Sequence, residues 1–405
     1  MAKTFYVVSN SGTSISGNRF FPISTNLIAT TTEAFAETSF IKSGGVLSGA
    51  KVYISANTNA VTTIFDLVIN STVGNQSIAV TTLATGLFED ADSDTISASD
   101  EVNWEVTASA WVGLTLQFTT CSFAPTTFHH IFSSKIRNTF CKTTGGIFSE
   151  PNAPNSNATE LNAKLNMRVA GTLEKCRVYV SANADTGGAT VKSRVNGANG
   201  NISVVITAST TGEFLDVSNT DSISVDNDLN FTGSTTVTGD VTVESIQVAF
   251  TPTVDGSFIL NNGNPNGNNP GANTTIYIPP GTTGAGGVAT ESDALVTLSS
   301  AYTVSELQAY ILTNTGGSAG TIDLRLDTGG GPASTALTMS ITAATTGWFS
   351  DVTNSVSVAS GNTVDYRVVG PTSGDFTFTT ISAVFLAPAD PVSSRLSTLT
   401  LLGVG

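Results

Sequence analysis

The sequence contains three copies of one pattern. The motif T-G-x-F-x-D occurs at residues 85–90, 211–216 and 346–351. Ahead of each motif lies a strand-like stretch with a central tyrosine: Tyr53, Tyr179 and Tyr310. The three glycines of the motif stand 126 and 135 residues apart, and the three tyrosines 126 and 131 apart. An internal repeat constrains the fold more strongly than local propensity, because every copy has to follow the same plan.

Further markers keep the same order in each copy. An apolar residue, an Asn or Asp and an aromatic follow the motif, and each copy closes on an aromatic shortly before a proline: Phe123, Phe250 and Phe385. A weaker Thr-Glu pair opens each copy at 32–33, 159–160 and 290–291. These markers predict repeats at 1–125, 126–253 and 254–390, followed by a C-terminal tail at 391–405. The breaker-rich stretches 149–158, 261–273 and 279–287 are interpreted as linkers or long surface loops.

Within each copy the hydrophobic pattern has a period of two, which is typical of half-buried strands. Apolar residues alternate with polar ones at 65–69, 114–118, 161–169, 322–326 and 337–341. Helical periodicity is scarce, and β-branched residues and Gly/Asn turns are abundant. The predicted fold class is therefore all-β, with three tandem antiparallel β-sandwich domains of jelly-roll type and a short C-terminal tail.

Composition narrows the range of partners. The formal net charge is −15 and only 12% of the 405 residues are charged, so a surface for nucleic acid is not expected. No apolar run approaches the length of a membrane helix, and no export signal is visible at the N-terminus. Three cysteines, Cys121, Cys141 and Cys176, lack metal-site spacing, and we interpret them as buried free thiols.

The recurrent residues are assigned structural roles. The glycine of T-G-x-F-x-D is predicted to take a positive φ or to allow a close backbone approach, the Phe to anchor the core, and the Asp to accept hydrogen bonds from turn amides. The three tyrosines are interpreted as packing residues, with exposed sugar-stacking rings as the alternative.

No catalytic site is predicted. The only histidines, His129 and His130, are adjacent, and the nucleophile-elbow, phosphate-loop and H-E-x-x-H patterns are absent from the sequence. Glycosidases need only two carboxylates, which spacing cannot exclude, but Glu33, Glu160 and Glu291 recur as features of the repeat, which favours a scaffolding role.

One acidic segment is similar to a calcium loop, with Asp90, Asp92 and Asp94 at alternate positions. Thr95 occupies the position where such a loop needs glycine, so a solvated acidic turn is favoured over a weak Ca²⁺ site. No cofactor and no metal are predicted.

Charge is distributed unevenly along the chain. Residues 135–194 hold nine of the sixteen basic residues and four acidic ones, which predicts a basic patch on the middle repeat that contacts an acidic neighbouring repeat or chain. The alternative is a solvated basic face. The apolar tail at 391–405 is predicted to dock on a neighbour, either at a sheet edge or in a groove.

Taken together, the tandem sandwiches, the sparse charge, the Thr/Asn/Gly-rich strands and the tail at 395–405 resemble virion structural proteins of tailed bacteriophages. Residues 346–351 and 358–366 are similar to jelly-roll sandwiches of phage fibres and capsid-bound proteins. The resemblance implies a non-enzymatic protein of the virion exterior, of the head-decoration, fibre or tail-associated type. It implies assembly in the host cytoplasm, contacts with other virion proteins, oligomerisation as a homotrimer, and contact with a host-surface glycan.

The alternative function is a carbohydrate-binding adhesin whose loops beside Trp104, Phe231 and Tyr366 contact sugars. A polysaccharide-degrading enzyme is the third hypothesis. The sequence alone does not separate a head, neck, tail or fibre location.

Overall fold

A computed structural model describes residues 3–23, 25–26, 33, 39–40, 42–142, 147–152, 156–237, 239–282 and 287–388. Over these residues the fold is all-β, as the sequence predicts, with five sheets that are antiparallel apart from two short parallel pairings. The strands pair within three consecutive groups, called units 1, 2 and 3 below.

The described residues of unit 1 form ten strands, and the last of these ends at Pro125. The strands are β1 (Phe5–Ile15), β2 (Arg19–Pro22), β3 (Thr25–Asn26), β4 (Ser39–Phe40), β5 (Gly45–Asn57), β6 (Thr63–Ile69), β7 (Thr72–Val80), β8 (Gly86–Ile96), β9 (Glu101–Ala108) and β10 (Leu114–Pro125).

In the part of unit 2 that the structure describes there are nine strands and one short 3-10 helix at Glu160–Asn162. The strands are β11 (His130–Lys142), β12 (Ile147–Ser149), β13 (Leu165–Met167), β14 (Gly171–Asn183), β15 (Ala189–Val195), β16 (Ala198–Ile206), β17 (Gly212–Ile223), β18 (Asn227–Thr235) and β19 (Val241–Pro252).

Unit 3, outside residues 283–286, has nine strands and a 3-10 helix at Glu291–Asp293. The strands are β20 (Ser257–Asn268), β21 (Thr275–Ile278), β22 (Val296–Thr297), β23 (Tyr302–Asn314), β24 (Gly320–Asp327), β25 (Ala333–Ile341), β26 (Gly347–Val358), β27 (Thr363–Val369) and β28 (Phe376–Leu386).

All three units have the same strand order. Each unit has eight main strands, which are all of its strands except the short β3, β4, β13 and β22. When these eight are counted in chain order, one sheet runs 1-8-3-6 and the other runs 2-7-4-5. In unit 3 the two sheets are β20-β28-β23-β26 and β21-β27-β24-β25. This is the order of a jelly roll, in which two Greek keys wrap around one core. In unit 2 a short parallel pairing of β11 with β18 joins the two sheets into one.

The core of each unit comes from the inward positions of the alternating strands. Trp104, Phe231 and Tyr366 have at most 1% of their surface exposed, and so do the pre-proline aromatics Phe123, Phe250 and Phe385. The buried hydrophobic residues of units 1 and 3 form one continuous cluster together with Ile131 of unit 2, whereas the others of unit 2 form a second cluster with Ile259 and Val384 of unit 3. The units therefore pack against one another.

The repeat extends to a backbone irregularity that the sequence does not reveal. The strand that carries the repeat tyrosine, which is β5, β14 or β23, has a bulge in each unit. The bulged residues are Gly49, Lys175 and Glu306, and each has a positive φ between 52° and 62°. In each unit this bulge lies four residues before the repeat tyrosine. A bulge adds local twist and redirects neighbouring side chains, so each of these strands bends at the same point.

Two of the expectations about secondary structure are wrong. The alternating stretch 161–169 is a 3-10 helix at Glu160–Asn162 followed by the short strand Leu165–Met167, because Leu161 is half exposed and begins no strand. The Asn-rich stretch 261–273 is not a loop over its first eight residues, which belong to β20. Asn261, Asn262, Asn264 and Asn268 are buried, and their side chains make hydrogen bonds that replace water.

Candidate functional site

The contacts between the units use equivalent positions. Lys42, Arg168 and Ser299 each lie eleven residues before the repeat tyrosine of their own unit. Lys42 of unit 1 forms a salt bridge with Glu174 of unit 2, and Arg168 of unit 2 donates to Glu306 of unit 3 from Nε (3.0 Å) and Nη2 (2.7 Å). Ser299 of unit 3 makes a hydrogen bond with Ser122 of unit 1. The three contacts therefore run from unit 1 to 2, from 2 to 3, and from 3 back to 1.

The strand that carries the repeat tyrosine makes contacts in the same sense. Arg177 Nη2 on β14 donates to Glu101 Oε1 of unit 1 across 2.7 Å. Gln308, which occupies the place of Arg177 in unit 3, donates from Nε2 to the backbone oxygen of Asn166 in unit 2 across 2.6 Å. Tyr53 of unit 1 donates from its hydroxyl to Asp293 Oδ1 of unit 3 across 2.8 Å. Each unit thus presents the same strand to the unit before it, and unit 1 presents its strand to unit 3.

These contacts arrange the units in a closed cycle, which we call the ring. The two ends of the described chain meet where the ring closes: a methyl group on Gly256 would lie 2.7 Å from Lys3 Cδ and 3.3 Å from Ala387 Cβ. Lys3 also forms a salt bridge with Asp255 at 2.8 Å, and the Tyr302 hydroxyl donates to the Thr4 backbone oxygen at 3.2 Å. The ring therefore has approximate threefold symmetry and is completed by a single chain.

A polar cluster fills the contact between units 2 and 3. Glu150 and Asn261 are fully buried, and Asn152 is 7% exposed. Asn152 Nδ2 donates to Asn261 Oδ1 at 2.7 Å, and the Thr380 hydroxyl donates to Glu150. Burial raises the pKa of Glu150 well above its usual value. Ser149–Glu150 and Asn152 thus lie in an interior, and the prediction of a surface linker at 149–158 is wrong for these residues.

The motif T-G-x-F-x-D has a structural role, as predicted, but its Asp accepts from amides of a neighbouring strand and not of a turn. Gly86, Gly212 and Gly347 have φ values of +108°, +109° and +106°, and open space surrounds each. The following Phe residues are half-buried against the core. The Asp residues clamp two neighbouring strands: Asp90, Asp216 and Asp351 accept from the amides of Ser77, Ser203 and Thr338 at 2.7, 2.8 and 3.1 Å.

The hydrogen bonds that Asp216 of unit 2 accepts change its pKa. Burial alone would raise the pKa of Asp216, but hydrogen bonds from the Ser203 amide and from Ser218 and Asn219 outweigh burial and lower the pKa to about 2. Asp216 is therefore an ionised acceptor that joins the neighbouring strands β16 and β17.

The Asn that ends each tyrosine strand has an equally regular role. Asn57, Asn183 and Asn314 each donate from Nδ2 to two backbone oxygens of one turn, at 81–84, 207–210 and 342–345. Each also accepts an amide hydrogen bond, from Asn59, Asp185 and Gly316. One side chain thus fixes two loops at the same end of every unit.

The recurrent glutamates support a side chain of the neighbouring strand. Glu33 and Glu160 accept from the Nδ2 atoms of Asn103 and Asn230 at 3.2 and 3.3 Å. Glu160 and Glu291 also form bidentate salt bridges with Arg194 and Arg325. These contacts fit the scaffolding role; Thr32, of the same Thr-Glu marker, lies outside the described residues.

Unit 3 departs from this arrangement because Asp365 replaces the asparagine. Asp365 is fully buried, and neither of its carboxyl oxygens has a hydrogen-bond partner among the described residues. Burial and the nearby charge of Glu291 raise the pKa of Asp365 to about 8. Asp365 is therefore largely protonated at neutral pH.

The residues considered for catalysis are enclosed. His129 and His130 are buried near the contact between units 1 and 2, and burial lowers their pKa values to about 4 and about 3. Cys121, Cys141 and Cys176 are buried free thiols, as predicted. Burial raises the pKa of all three thiols, to about 12 for Cys121 and Cys141.

The acidic segment with Asp90, Asp92 and Asp94 is not a loop, because it belongs to strand β8. Besides the Ser77 amide, Asp90 accepts the Asp92 amide at 2.8 Å, and Asp94 accepts the amides of Asn75 and Gln76 at 2.7 and 3.1 Å. Within the described ranges, no group of three or more His, Cys, Asp or Glu side chains is arranged to hold a metal ion. The prediction of a solvated turn is wrong for Asp94, which is 4% exposed.

The aromatic residues proposed as neighbours of a sugar site lie inside the protein. Trp104, Phe231 and Tyr366 belong to the interior of β9, β18 and β27, and their rings are buried. The adhesin hypothesis is therefore wrong in placing loops beside these rings. Tyr310 is 7% exposed and packs edge-on against Trp348 at 5.2 Å, and Tyr53 stacks on Phe118 at 5.5 Å. These two repeat tyrosines are packing residues, as predicted.

The basic residues of unit 2 are largely used inside the chain. Arg168 and Arg177 form salt bridges with Glu306 of unit 3 and Glu101 of unit 1, and Lys164 and Arg194 pair with acids of unit 2 itself. Contact of the basic repeat with acidic neighbouring repeats is confirmed, and contact with another chain stays a prediction. The tail at 391–405 lies outside the described residues.

Comparison with known proteins adds no relative. No protein-family model and no curated protein sequence matches the chain. Among the helices of the described residues, none is long and apolar enough to cross a membrane.

Proposed function

We propose that this chain is a non-enzymatic structural protein of the exterior of a bacteriophage virion, attached to neighbouring virion proteins as a head-decoration, fibre or tail-associated component. The observation that carries the proposal is the ring of three jelly-roll units. Its recurrent polar residues hold turns, strands and neighbouring units together.

The use of the charged residues supports this proposal over an enzymatic role. Glu160, Glu174, Glu291 and Glu306 are each engaged by a Lys or Arg, and the histidines lie in the interior. A general acid or base has to reach a substrate proton, whereas these groups reach other parts of the same chain. Ion pairs between units add orientation specificity as well as modest stability.

The jelly roll also suits the exterior of a particle. Each sandwich is closed by its own two sheets, and its turns point outward at both ends, where they are free to vary without disturbing the core. The chain carries a net charge of −15, which keeps an exposed protein soluble and limits non-specific association.

The proposal is tested by locating the protein. Particles from a lysate of the native host are banded by density and analysed by mass spectrometry, and an antibody against the purified chain is applied to intact particles with gold labelling. We expect the chain to co-band with capsid and tail proteins in fixed proportion and the gold to lie on the particle surface. Recovery of the chain only in the soluble fraction would contradict the proposal.

A further inference from the structure

The two ends of the ring differ in how well they keep the threefold repeat. At one end, the turns that precede β8, β17 and β26 span 81–85, 207–211 and 342–346, five residues each. The loops after the tyrosine strands, 58–62, 184–188 and 315–319, are also five residues each. At the other end, the loops between β6 and β7, β15 and β16, and β24 and β25 have two, two and five residues.

The three turns 81–85, 207–211 and 342–346, called the threonine turns, also share one backbone conformation. Their third residues, Leu83, Ser209 and Ala344, have φ values of 59°, 52° and 53°. Residues with a side chain seldom adopt this region. The side chains of Asn57, Asn183 and Asn314 hold the turns in place. The turns are therefore preorganised, which reduces the entropy that binding would cost.

The threonine turns offer a partner an exposed and neutral surface. Leu83 is 60% exposed, and Ser209 and Ala344 are also exposed. None of the three turns contains a charged residue. At the other end of the ring, the turns after β8 and β17 carry the charged residues Asp100 and Asp226. Charged residues also form the contacts between units, in the salt bridges Lys42–Glu174 and Arg168–Glu306. Of the described loops of the ring, only the threonine turns combine equal length, a shared conformation and the absence of charge, and Asp185, Asp240 and Asp375 lie in other loops at the same end.

Cyclic symmetry determines how these turns are arranged. Because units 1, 2 and 3 contact one another in the same sense, equivalent turns are related by the pseudo-threefold axis of the ring and lie at the same height along it. A heterologous contact that closes after three units leaves no unused copy of the interface. The ring therefore has no open contact of this kind with which to recruit a second chain.

We propose that a single copy of this chain docks through its three threonine turns onto a protein surface with local threefold symmetry and little charge, so that one chain takes the place of a homotrimer. This inference rests on the proposed function, since it specifies the surface and the symmetry of the virion partner. It replaces the homotrimer implied by the sequence resemblance.

The first test is the mass of the isolated chain. Light scattering during gel filtration should give the 41.5 kDa of one chain across the micromolar range. A stable species of three times that mass would overturn the inference.

The second test measures docking on particles. Particles are prepared from a phage in which the gene for this chain is deleted, and the purified chain is added back. The test variant carries Leu83→Lys, Ser209→Lys and Ala344→Lys, which place three charges on the threonine turns. The matched control carries Ala98→Lys, Val225→Lys and Ala359→Lys in exposed turns at the opposite ends of the same strands. Both variants should keep the melting temperature of the wild type, since the replaced side chains lie outside the core.

We expect the wild-type chain and the control to rebind at one copy per threefold position, and the test variant to lose at least tenfold in affinity. Rebinding of the test variant at the wild-type level, or equal loss by both variants, would overturn the inference. Absence of the chain from unmodified particles would instead overturn the proposed function, so the two failures are distinguishable.

Discussion

The hydroxyl of Tyr53 donates a hydrogen bond to Asp293 across 2.8 Å, although 240 residues separate the two in the chain. Tyr53 lies on the long central strand of the first sandwich, and Asp293 lies in the 3-10 helix of the third. The contact joins the two ends of the repeat array and closes the ring. Loss of this hydrogen bond should therefore weaken a contact between units and leave the core of each unit unchanged.

The variant Tyr53→Phe tests this contact. We expect the free energy of unfolding to fall by about 1 kcal/mol, since the ring of Phe keeps the stacking on Phe118 and only the hydrogen bond is lost. Urea denaturation gives the value. Tyr310→Phe is the matched control, because the structure shows no hydrogen bond from the Tyr310 hydroxyl among the described residues, and its effect should be clearly smaller. Equal effects of the two changes would contradict the closing role of Tyr53.

The glycine of the repeated motif is predicted to be needed for its backbone conformation alone. Gly347 has a φ of +106° and nothing within 4 Å of the place where a Cβ would stand. Gly347→Ala should lower the free energy of unfolding by about 1 to 2 kcal/mol through backbone strain. Gly330→Ala is the control, since Gly330 has equally open surroundings and a φ outside the left-handed region. Thermal unfolding should separate the two variants; equal melting temperatures would show that φ is not the cause.

Unit 3 should have a pH-dependent weakness at Asp365. Burial and Glu291 raise its folded-state pKa to about 8, against 3.8 for an aspartate in water. A raised pKa favours folding at low pH, and this stability is lost as the pH rises from about 4 to about 8. Asp365→Asn should therefore stabilise the protein at pH 9, on the order of 2 kcal/mol, and have little effect at pH 3.

The reverse substitution provides the control for this prediction. Asn230 occupies the same place in unit 2 and donates to Glu160. Asn230→Asp should introduce the same loss of stability with rising pH, measured by urea denaturation at pH 4, 7 and 9. A pH profile of Asp365→Asn that parallels the wild type would show that Asp365 is not the titrating group.

The fold could be predicted from the sequence because it depends on short-range features. The period-two alternation at 65–69 and 337–341 appears as strands β6 and β25, and the positive φ of Gly86 follows from what glycine alone adopts easily. The roles of the repeated Gly and Asp were accessible for the same reason, since Gly86 acts through its own backbone and Asp90 accepts from Ser77, only 13 residues away.

The ring could not be predicted because it depends on pairings between distant residues. No local pattern shows that Arg168 meets Glu306, or that Asn261, in the Asn-rich part of β20, is buried against unit 2. Asn normally indicates a turn because its side chain competes for backbone hydrogen bonds in water. At Asn261 the partners are instead the Pro151 backbone oxygen and Asn152, which only the assembled units supply. One signal was available: the position eleven residues before the repeat tyrosine is basic in two of the three units.

The central claim is that one chain closes the ring through the contact between units 3 and 1. The most direct measurement is a disulfide trap at Ser122 and Ser299, whose hydroxyls are in contact across that junction. The double variant Ser122→Cys and Ser299→Cys is made in a Cys121→Ala background, oxidised, and run on a non-reducing gel with mass spectrometry of the linked peptides. The account predicts one intramolecular disulfide in a species of single-chain mass. Linked dimers or trimers, or two thiols that stay reduced, would contradict it.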